Sequence, residues 1–316
     1  MDAEDRELFQ RSLAHVMSSA SGTALDEALI DLGWHEALGS DRSDAVALAF
    51  EQQGRAGATS AALGAVVLQG LGLDPSSGPV VLPAAGGSEP PGRVDGDRLA
   101  VEGLVLGPVA DGATLLVPAA SADGTLLLRA AASGLTVRPV QGIDPDLGVA
   151  TVAGEVAAGD AEAAGPWSDA VDLARMAIGH ELVGHSRRML ALAREHALDR
   201  VQFGRAIAGF QAVRHRLAEA LVAVEAAEAA LGGAWLDGRA DSAAIAKALA
   251  GRGARTVSRH CQQVLAGIGF TTEHELHEHI RRVVVLDQLF GGAVGLTRAL
   301  GDQVLATGTL PDLLPL

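Results

Sequence analysis

The chain has 316 residues, 48% of them hydrophobic, and a formal net charge of −15, enough apolar material for one large core or two modest ones and the wrong charge for nucleic acid, whose phosphates need clustered Lys and Arg. A single cysteine, Cys261, leaves no intramolecular disulfide and points to a reducing compartment. Met1–Asp5 is acidic, without the basic and apolar regions of a signal peptide, and no uninterrupted apolar run reaches the ~20 residues of a membrane span, so a soluble, cytoplasmic protein with no membrane or nucleic-acid partner is expected.

Three zones follow one another, with expected boundaries at 1–73, 74–165 and 166–316. The first reads as short helices, Arg6–Val16, Ala24–Leu32, Asp44–Gln53 and Ser60–Gln69, with cap-type residues ahead of apolar side chains at helical spacing. The second is dense in Gly, Pro, Asp and Ser. Between them lie short apolar runs, Val80–Leu82, Arg98–Val101, Thr114–Val117, Leu126–Arg129, Leu135–Val137 and Val149–Val152, the pattern of a small antiparallel sheet or barrel. The third is helical almost throughout: a helix capped by Ser168-Asp169 and running to Leu198, then Phe210–Leu231, Ser242–Leu265 and Glu273–Leu305. Long helices with short connections predict an antiparallel four-helix bundle. The fold class is therefore α+β, mostly α. Aromatic residues are only 3%, so alanine and glycine carry much of the apolar count and favour close helix–helix approach.

Two stretches in the last zone have the chemistry of a dinucleotide contact. Asp199-Arg200-Val201-Gln202-Phe203-Gly204 precedes Gln211, and Gln263-Val264-Leu265-Ala266-Gly267-Ile268-Gly269 follows one helix later. Arg200 offers a planar, permanent cation suited to pyrophosphate. Gln202 and Gln263 offer amides, and Gly267 and Gly269 let a backbone approach a ligand without a Cβ in the way.

In these motifs, and in its helix–sheet–helix order, the chain resembles the acyl-CoA dehydrogenases, which oxidise acyl-CoA thioesters with FAD. The order covers the whole chain in outline; the motifs are specific to the last zone. In that family the matching arginine and glutamine-glycine turn reach across a subunit interface to a flavin held mainly by the neighbour. The resemblance thus implies FAD as cofactor, an acyl-CoA as substrate, and Arg200, Gln202, Phe203, Gln211, Gln263 and Gly267 as cofactor-binding residues. The family turn often carries His-Gly where this chain has Leu265-Ala266.

The same comparison exposes a missing group. Dehydrogenation removes an α-proton while the β-hydrogen leaves as hydride, so a carboxylate must face the flavin ring. Laid on the family pattern from Gly267, the Glu-Gly-Thr of most members falls on Phe290-Gly291-Gly292, and the alternative base position, just before an arginine on the first bundle helix, falls on Ala174-Arg175. Neither Phe290 nor Ala174 accepts a proton, so no catalytic residue is assigned. Asp172, Glu181, Glu273 and Asp287 are the nearest carboxylates, read as solvated or ion-paired surface groups. The loop that contacts the flavin ring in the family, a Thr-Glu-x-x-x-Gly-Ser type, is replaced by Leu82-Pro83-Ala84-Ala85-Gly86-Gly87-Ser88-Glu89-Pro90.

Other motifs carry less. His180 and His185 in a zinc-protease-like stretch are five apart, turned about 140° from one another on a helix. His274, His277 and His279 do not share one face and read as a solvated helix start, so no metal is expected. Cys261 reads as a small buried helix residue, and Leu71-Gly72-Leu73-Asp74-Pro75 lacks the context of a phosphate-binding loop.

A chain with flavin-reaching residues but no base resembles the smaller subunit of the actinobacterial heteromeric (α2β2) acyl-CoA dehydrogenases of steroid degradation. That resemblance implies a larger acyl-CoA dehydrogenase subunit as partner, supplying the glutamate, and a CoA thioester derived from cholesterol's side chain or last rings. Two alternatives stay open: a self-sufficient homomeric enzyme with a displaced base such as Glu181 or Asp172, and a non-catalytic scaffold.

Overall fold

A computed structural model describes residues 1–122, 124–239 and 241–310. Five helices open the chain: α1 (Ala3–Ser19), α2 (Thr23–Asp31), α3 (Trp34–Ser40), α4 (Arg42–Ala56) and α5 (Ala62–Gly70). The Asp2 carboxylate caps α1 by accepting from the N–H groups of Glu4 and Asp5 at 3.0 and 2.9 Å. Helix α3 was not anticipated. Gly33, left-handed at φ 77°, turns the chain between α2 and α3, and the fully buried Trp34 then donates its indole N–H to the Ala45 carbonyl at 3.0 Å.

The strands are β1 (Gly92–Asp95), β2 (Arg98–Leu106), β3 (Thr114–Ser121), β4 (Gly124–Ala131), β5 (Thr136–Pro139), β6 (Val149–Ala157) and β7 (Ala161–Ala163). They form one sheet in the order β5-β6-β2-β1-β3-β4-β7, antiparallel except for the β1–β3 pair. Val80 and Leu82, expected in a strand, make only single bridges to Leu116 and Leu104. Side chains along the strands alternate between two cores. Leu104, Leu106, Leu116 and Leu127 join the helical core, while Val105, Leu115, Val117 and Leu128 fill a second core within the sheet. Burial on both faces explains why these strands read as apolar runs rather than as alternation.

The chain continues through α6 (Trp167–Asp199), the hairpin β8 (Val201–Gln202) and β9 (Arg205–Ala206), α7 (Gln211–Asp237), α8 (Ser242–Leu265), a 3₁₀ turn at Ala266–Phe270, α9 (Leu276–Gln288) and α10 (Ala293–Thr307). Helix α6 starts at Trp167 with Pro166 as its N-cap and no side-chain cap, so Ser168 and Asp169 lie inside its first turn instead of capping it. The final helix, expected unbroken from Glu273 to Leu305, is two. Phe290 (φ 55°) and Gly291 (φ 97°) leave the helical region and separate α9 from α10. The stretch Leu276–Thr307 has the length and hydropathy of a membrane span, but this break divides it and half of its most apolar 18-residue window is buried inside the fold.

Glycines set the closest helix contacts. A Cβ on Gly54 of α4 would overlap the Glu181 carbonyl of α6, and one on Gly184 of α6 would overlap the Glu51 carbonyl of α4. The two helices therefore cross backbone against backbone, as the alanine- and glycine-rich composition suggested.

Candidate functional site

The residues expected to reach a flavin gather at one end of the helical bundle. Arg200 ends α6 in an extended conformation; its N–H donates to the His196 carbonyl at 2.9 Å and its own carbonyl accepts from the Ile207 N–H at 2.8 Å. Gln202 lies in β8, Phe203 at the hairpin tip, and Gln211 opens α7. Gln263 lies in the last turn of α8 and Gly267 in the 3₁₀ turn that follows. Antiparallel packing brings these positions to the same end: Arg216 near the start of α7 meets the His260 ring of α8 at 3.4 Å, and His274, ahead of α9, faces His196 of α6. All six side chains or backbones are exposed.

Local geometry at this end is strained toward solvent. Phe203 and Gly204 take φ values of 54° and 78°, the two positive angles of a tight hairpin turn that normally carries Asn-Gly. Holding a phenylalanine there costs on the order of 1–2 kcal/mol, and yet the ring stays 91% exposed. Its only ring contact among the described residues is edge-on to Phe210 at 6.0 Å, with the Arg205 guanidinium 4.1 Å above the Phe210 ring. A Cβ on Gly267 would meet nothing within 4 Å, whereas one on Gly269 would press on Leu265 at 2.9 Å. Gly269 is thus demanded by the chain's own packing and Gly267 is not. Among the described residues Arg200 makes no ion pair. A free guanidinium, exposed amides and bare backbone fit the anionic pyrophosphate half of a flavin dinucleotide presented from outside this chain.

The two positions where a base is expected are sealed. Phe290 is 1% and Ala174 0% exposed. The Phe290 ring packs on Trp167 with centroids 6.3 Å apart, and Arg175 donates its Nε–H to the Phe290 carbonyl at 3.2 Å. Lys247, the chain's only lysine, is fully buried and donates from Nζ to the carbonyls of Asp287 at 3.0 Å and Gly291 at 2.6 Å. Burial pulls its amine down to about 8. The Asp287 carboxylate accepts from Arg255 at 2.8 Å and from the Ala293 N–H at 3.0 Å. The Leu82–Pro90 loop closes over this turn: the Gly86 N–H donates to the Gln288 carbonyl at 2.8 Å, and the Trp167 indole N–H to the Ser88 carbonyl at 2.7 Å. Two aromatic side chains and the loop thus occupy the junction between sheet and bundle.

The remaining carboxylates differ from one another. Asp172 is half-buried, pushed up by burial and paired with Arg175 at 3.4 Å, and Glu273 is exposed. Glu181 and Asp287, expected at the surface, are 3% and 1% exposed, because α4 lies over Glu181 and α8 and the start of α10 lie over Asp287. Burial raises Glu181 to about 7, against the pull of Arg282 and the amide hydrogen bond from Gln53 at 3.1 Å. His279, expected in a solvated helix start, is also buried, its Nδ1 2.7 Å from Nδ1 of His185. His180 accepts from the Trp235 indole at 3.0 Å. Burial drives all three imidazoles toward the neutral form, His180 to about 4 and His279 to about 3. Among the described residues, no group of three or more His, Cys, Asp or Glu is placed to hold a metal ion. Cys261 is buried and its thiol pushed up to about 12.

Lys247 and Trp167 were missed by sequence reasoning. For Lys247 a signal existed: a lone lysine within Ala243-Ala244-Ile245-Ala246-Lys247-Ala248 breaks the small-residue face of α8. For Trp167 none did, since its partners lie in distant segments.

Residues 168–303 match the family model described as the acyl-CoA dehydrogenase C-terminal domain. Over 95% of this chain and 98% of the relative, the sequence is 29% identical to acyl-CoA dehydrogenase IpdE2 of Mycobacterium tuberculosis. Two solved structures share the fold: the ChsE4–ChsE5 complex from Mycobacterium tuberculosis, with a TM-score of 0.79 and 24% identity over 99% of both chains, and the Tcur3481–Tcur3483 steroid ACAD G363A variant, with a TM-score of 0.78 and 22% identity over 96% of this chain and 99% of that one.

Proposed function

We propose that this chain, which matches the acyl-CoA dehydrogenase C-terminal domain over residues 168–303 and is 29% identical to acyl-CoA dehydrogenase IpdE2, is an acyl-CoA dehydrogenase subunit that completes the FAD site of a heteromeric enzyme whose larger subunit carries the base. One observation bears most of the weight: both base positions are filled by buried apolar side chains, Phe290 and Ala174, while the cation and amides suited to a dinucleotide are displayed outward at the bundle end.

In this reading Arg200 neutralises the pyrophosphate, Gln202 and Gln263 donate amide hydrogen bonds, and Gly267 lets the backbone come close. Phe203 and Gln211 flank that contact. The bound flavin would accept the β-hydrogen of the acyl group as hydride, and the α-proton would pass to the larger subunit's carboxylate. This chain's own part is to bind and orient; its Trp167–Phe290 junction keeps water and substrate out of the space between sheet and bundle. The substrate is a steroid-derived acyl-CoA, of ring or side-chain origin. This follows the likeness to a steroid ACAD and to a two-component complex among the neighbours. The assembly is cytoplasmic and built as an α2β2 tetramer.

The test is the visible absorbance of the chain purified alone and after co-expression with a larger acyl-CoA dehydrogenase subunit. Flavin absorbance only in the co-expressed pair, near one flavin per heterodimer, supports a shared site. A full flavin complement with acyl-CoA turnover on the lone chain would refute it and redirect the search for a base to Asp172, the carboxylate beside Arg175.

A further inference from the structure

A cavity lies apart from the six residues assigned to the cofactor and from both base positions. It measures about 460 Å³ and opens between α2, α3, α5 and the start of the sheet zone; no residue of the bundle lines it. The volume is that of a small-molecule site. Leu29, Val80, Leu82 and Leu106 supply apolar walls, with Trp34 among the lining residues. The Trp34 indole N–H is already donated to the Ala45 carbonyl, so that wall offers no free polar group.

Polar side chains interrupt the apolar lining at Thr23, Asp26, His35 and Ser76; the Ser76 hydroxyl is already donated to Asp74, and Asp26 and His35 form the charged corner. Asp26 accepts the Ala61 N–H at 2.7 Å through Oδ1. Among the described residues its second oxygen and the His35 ring have no hydrogen-bond partner. Both groups are partly desolvated, which pushes Asp26 up and His35 down, and each feels the other's charge. Asp74 and Glu36 also face His35. The polar corner is therefore acidic, with a free carboxylate oxygen and a neutral imidazole that offers one donor and one acceptor beside it. Such a corner repels phosphates and carboxylates and holds a donor.

We propose that this cavity binds an apolar molecule carrying one hydrogen-bond donor group, a hydroxyl or a protonated amine, which donates to Asp26 and sits beside His35. The CoA thioester of the proposed reaction is not that ligand, because its phosphates would face the Asp26 carboxylate and the charges of Asp74 and Glu36 near His35. The assignment does not depend on the flavin reading.

Isosteric probes test it on the full-length chain by ligand-observed NMR titration: adamantane-1-carboxylate, 1-adamantanol and 1-adamantylamine share one apolar body and differ only in the polar group. The expected result is that the alcohol or the amine binds at least 10-fold more tightly than the carboxylate; the tighter of the two identifies the donor. Asp26→Asn, which still accepts from Ala61, should weaken that probe by about 10-fold, the loss of a charge-assisted hydrogen bond. Gly64→Leu should abolish binding by filling the space: a Cβ there meets only ordinary contacts, Val80 at 3.7 Å, so the fold is retained and its circular dichroism unchanged. Equal binding of all three probes, no binding by any of them, or an unchanged affinity in Asp26→Asn would overturn the proposal.

Discussion

Replacing Lys247 by methionine should make the chain's stability lose most of its alkaline gain. The native amine sits at about 8 where 10.5 is ordinary, chiefly because burial disfavours its charge. At 1.36 kcal/mol for each pH unit, the native state gives up roughly 3 kcal/mol to carry that proton at neutral pH. The unfolded chain binds the proton more tightly, so stability stays flat below about pH 8. It climbs as pH rises from there toward 10.5, and the gain is complete above that. Methionine keeps the length and removes the proton. It also leaves the Asp287 and Gly291 carbonyls without their donor, at about 1–3 kcal/mol each, so the two proteins should differ little in stability at pH 7.5.

The decisive quantity is how that difference changes with pH. The chain has no tyrosine, no second lysine and one cysteine, which leaves few other groups to titrate in this range. Cys261 acts the other way, since its thiol is pushed up to about 12 and the unfolded chain ionises first, but it does so in both proteins and cancels. Guanidinium unfolding at pH 7.5 and 10.5 should therefore show wild type gaining about 3 kcal/mol over Lys247→Met. A difference that stays constant between the two pH values, within about 1 kcal/mol, would refute the idea that a desolvated ammonium holds the Phe290–Gly291 turn.

Arg200→Ala should cut flavin retention in the co-purified complex by about 10- to 100-fold, the worth of a charge-assisted contact, measured by absorbance after extensive dialysis; unchanged flavin would favour the scaffold reading. Gly184→Ala should destabilise the chain by several kcal/mol, about 3 or more, because the new Cβ overlaps the Glu51 carbonyl across the α4–α6 crossing; an unaltered melting temperature would mean the helices separate freely. Glu181, raised by burial to about 7, stabilises the native state while protonated, fully below the unfolded value near 4.3 and decreasingly as pH rises through about 7. Glu181→Gln should therefore gain on wild type by about 3 kcal/mol between pH 4.5 and 7.5 in urea titrations, and should leave turnover of the complex intact; loss of turnover with flavin retained would instead make Glu181 the displaced base.

Legibility in the sequence followed distance along the chain. The helices of α6, α7 and α8 and the strands of β2, β3, β4 and β6 announce themselves through local periodicity and turn residues, and the structure carries all of them. What failed was decided by remote partners. His279 reads as one polar residue among several in Glu273–His279 until α6 brings His185 to it, and Glu181 reads as surface until Gly54 lets α4 lie over it. The break after α9 depends on Phe290 accepting a left-handed φ, which no propensity favours. It holds because Lys247, Arg175 and the Gly86 N–H satisfy the carbonyls of residues 287, 288, 290 and 291 that the turn exposes. That arrangement bears on function more than the missing carboxylate does. A lost glutamate alone would leave an empty site that one substitution could restore. Here an aromatic pair, a buried ammonium and a closed loop occupy the junction between sheet and bundle, so under the proposed reading the chemistry falls to the larger subunit and this chain lends its edge.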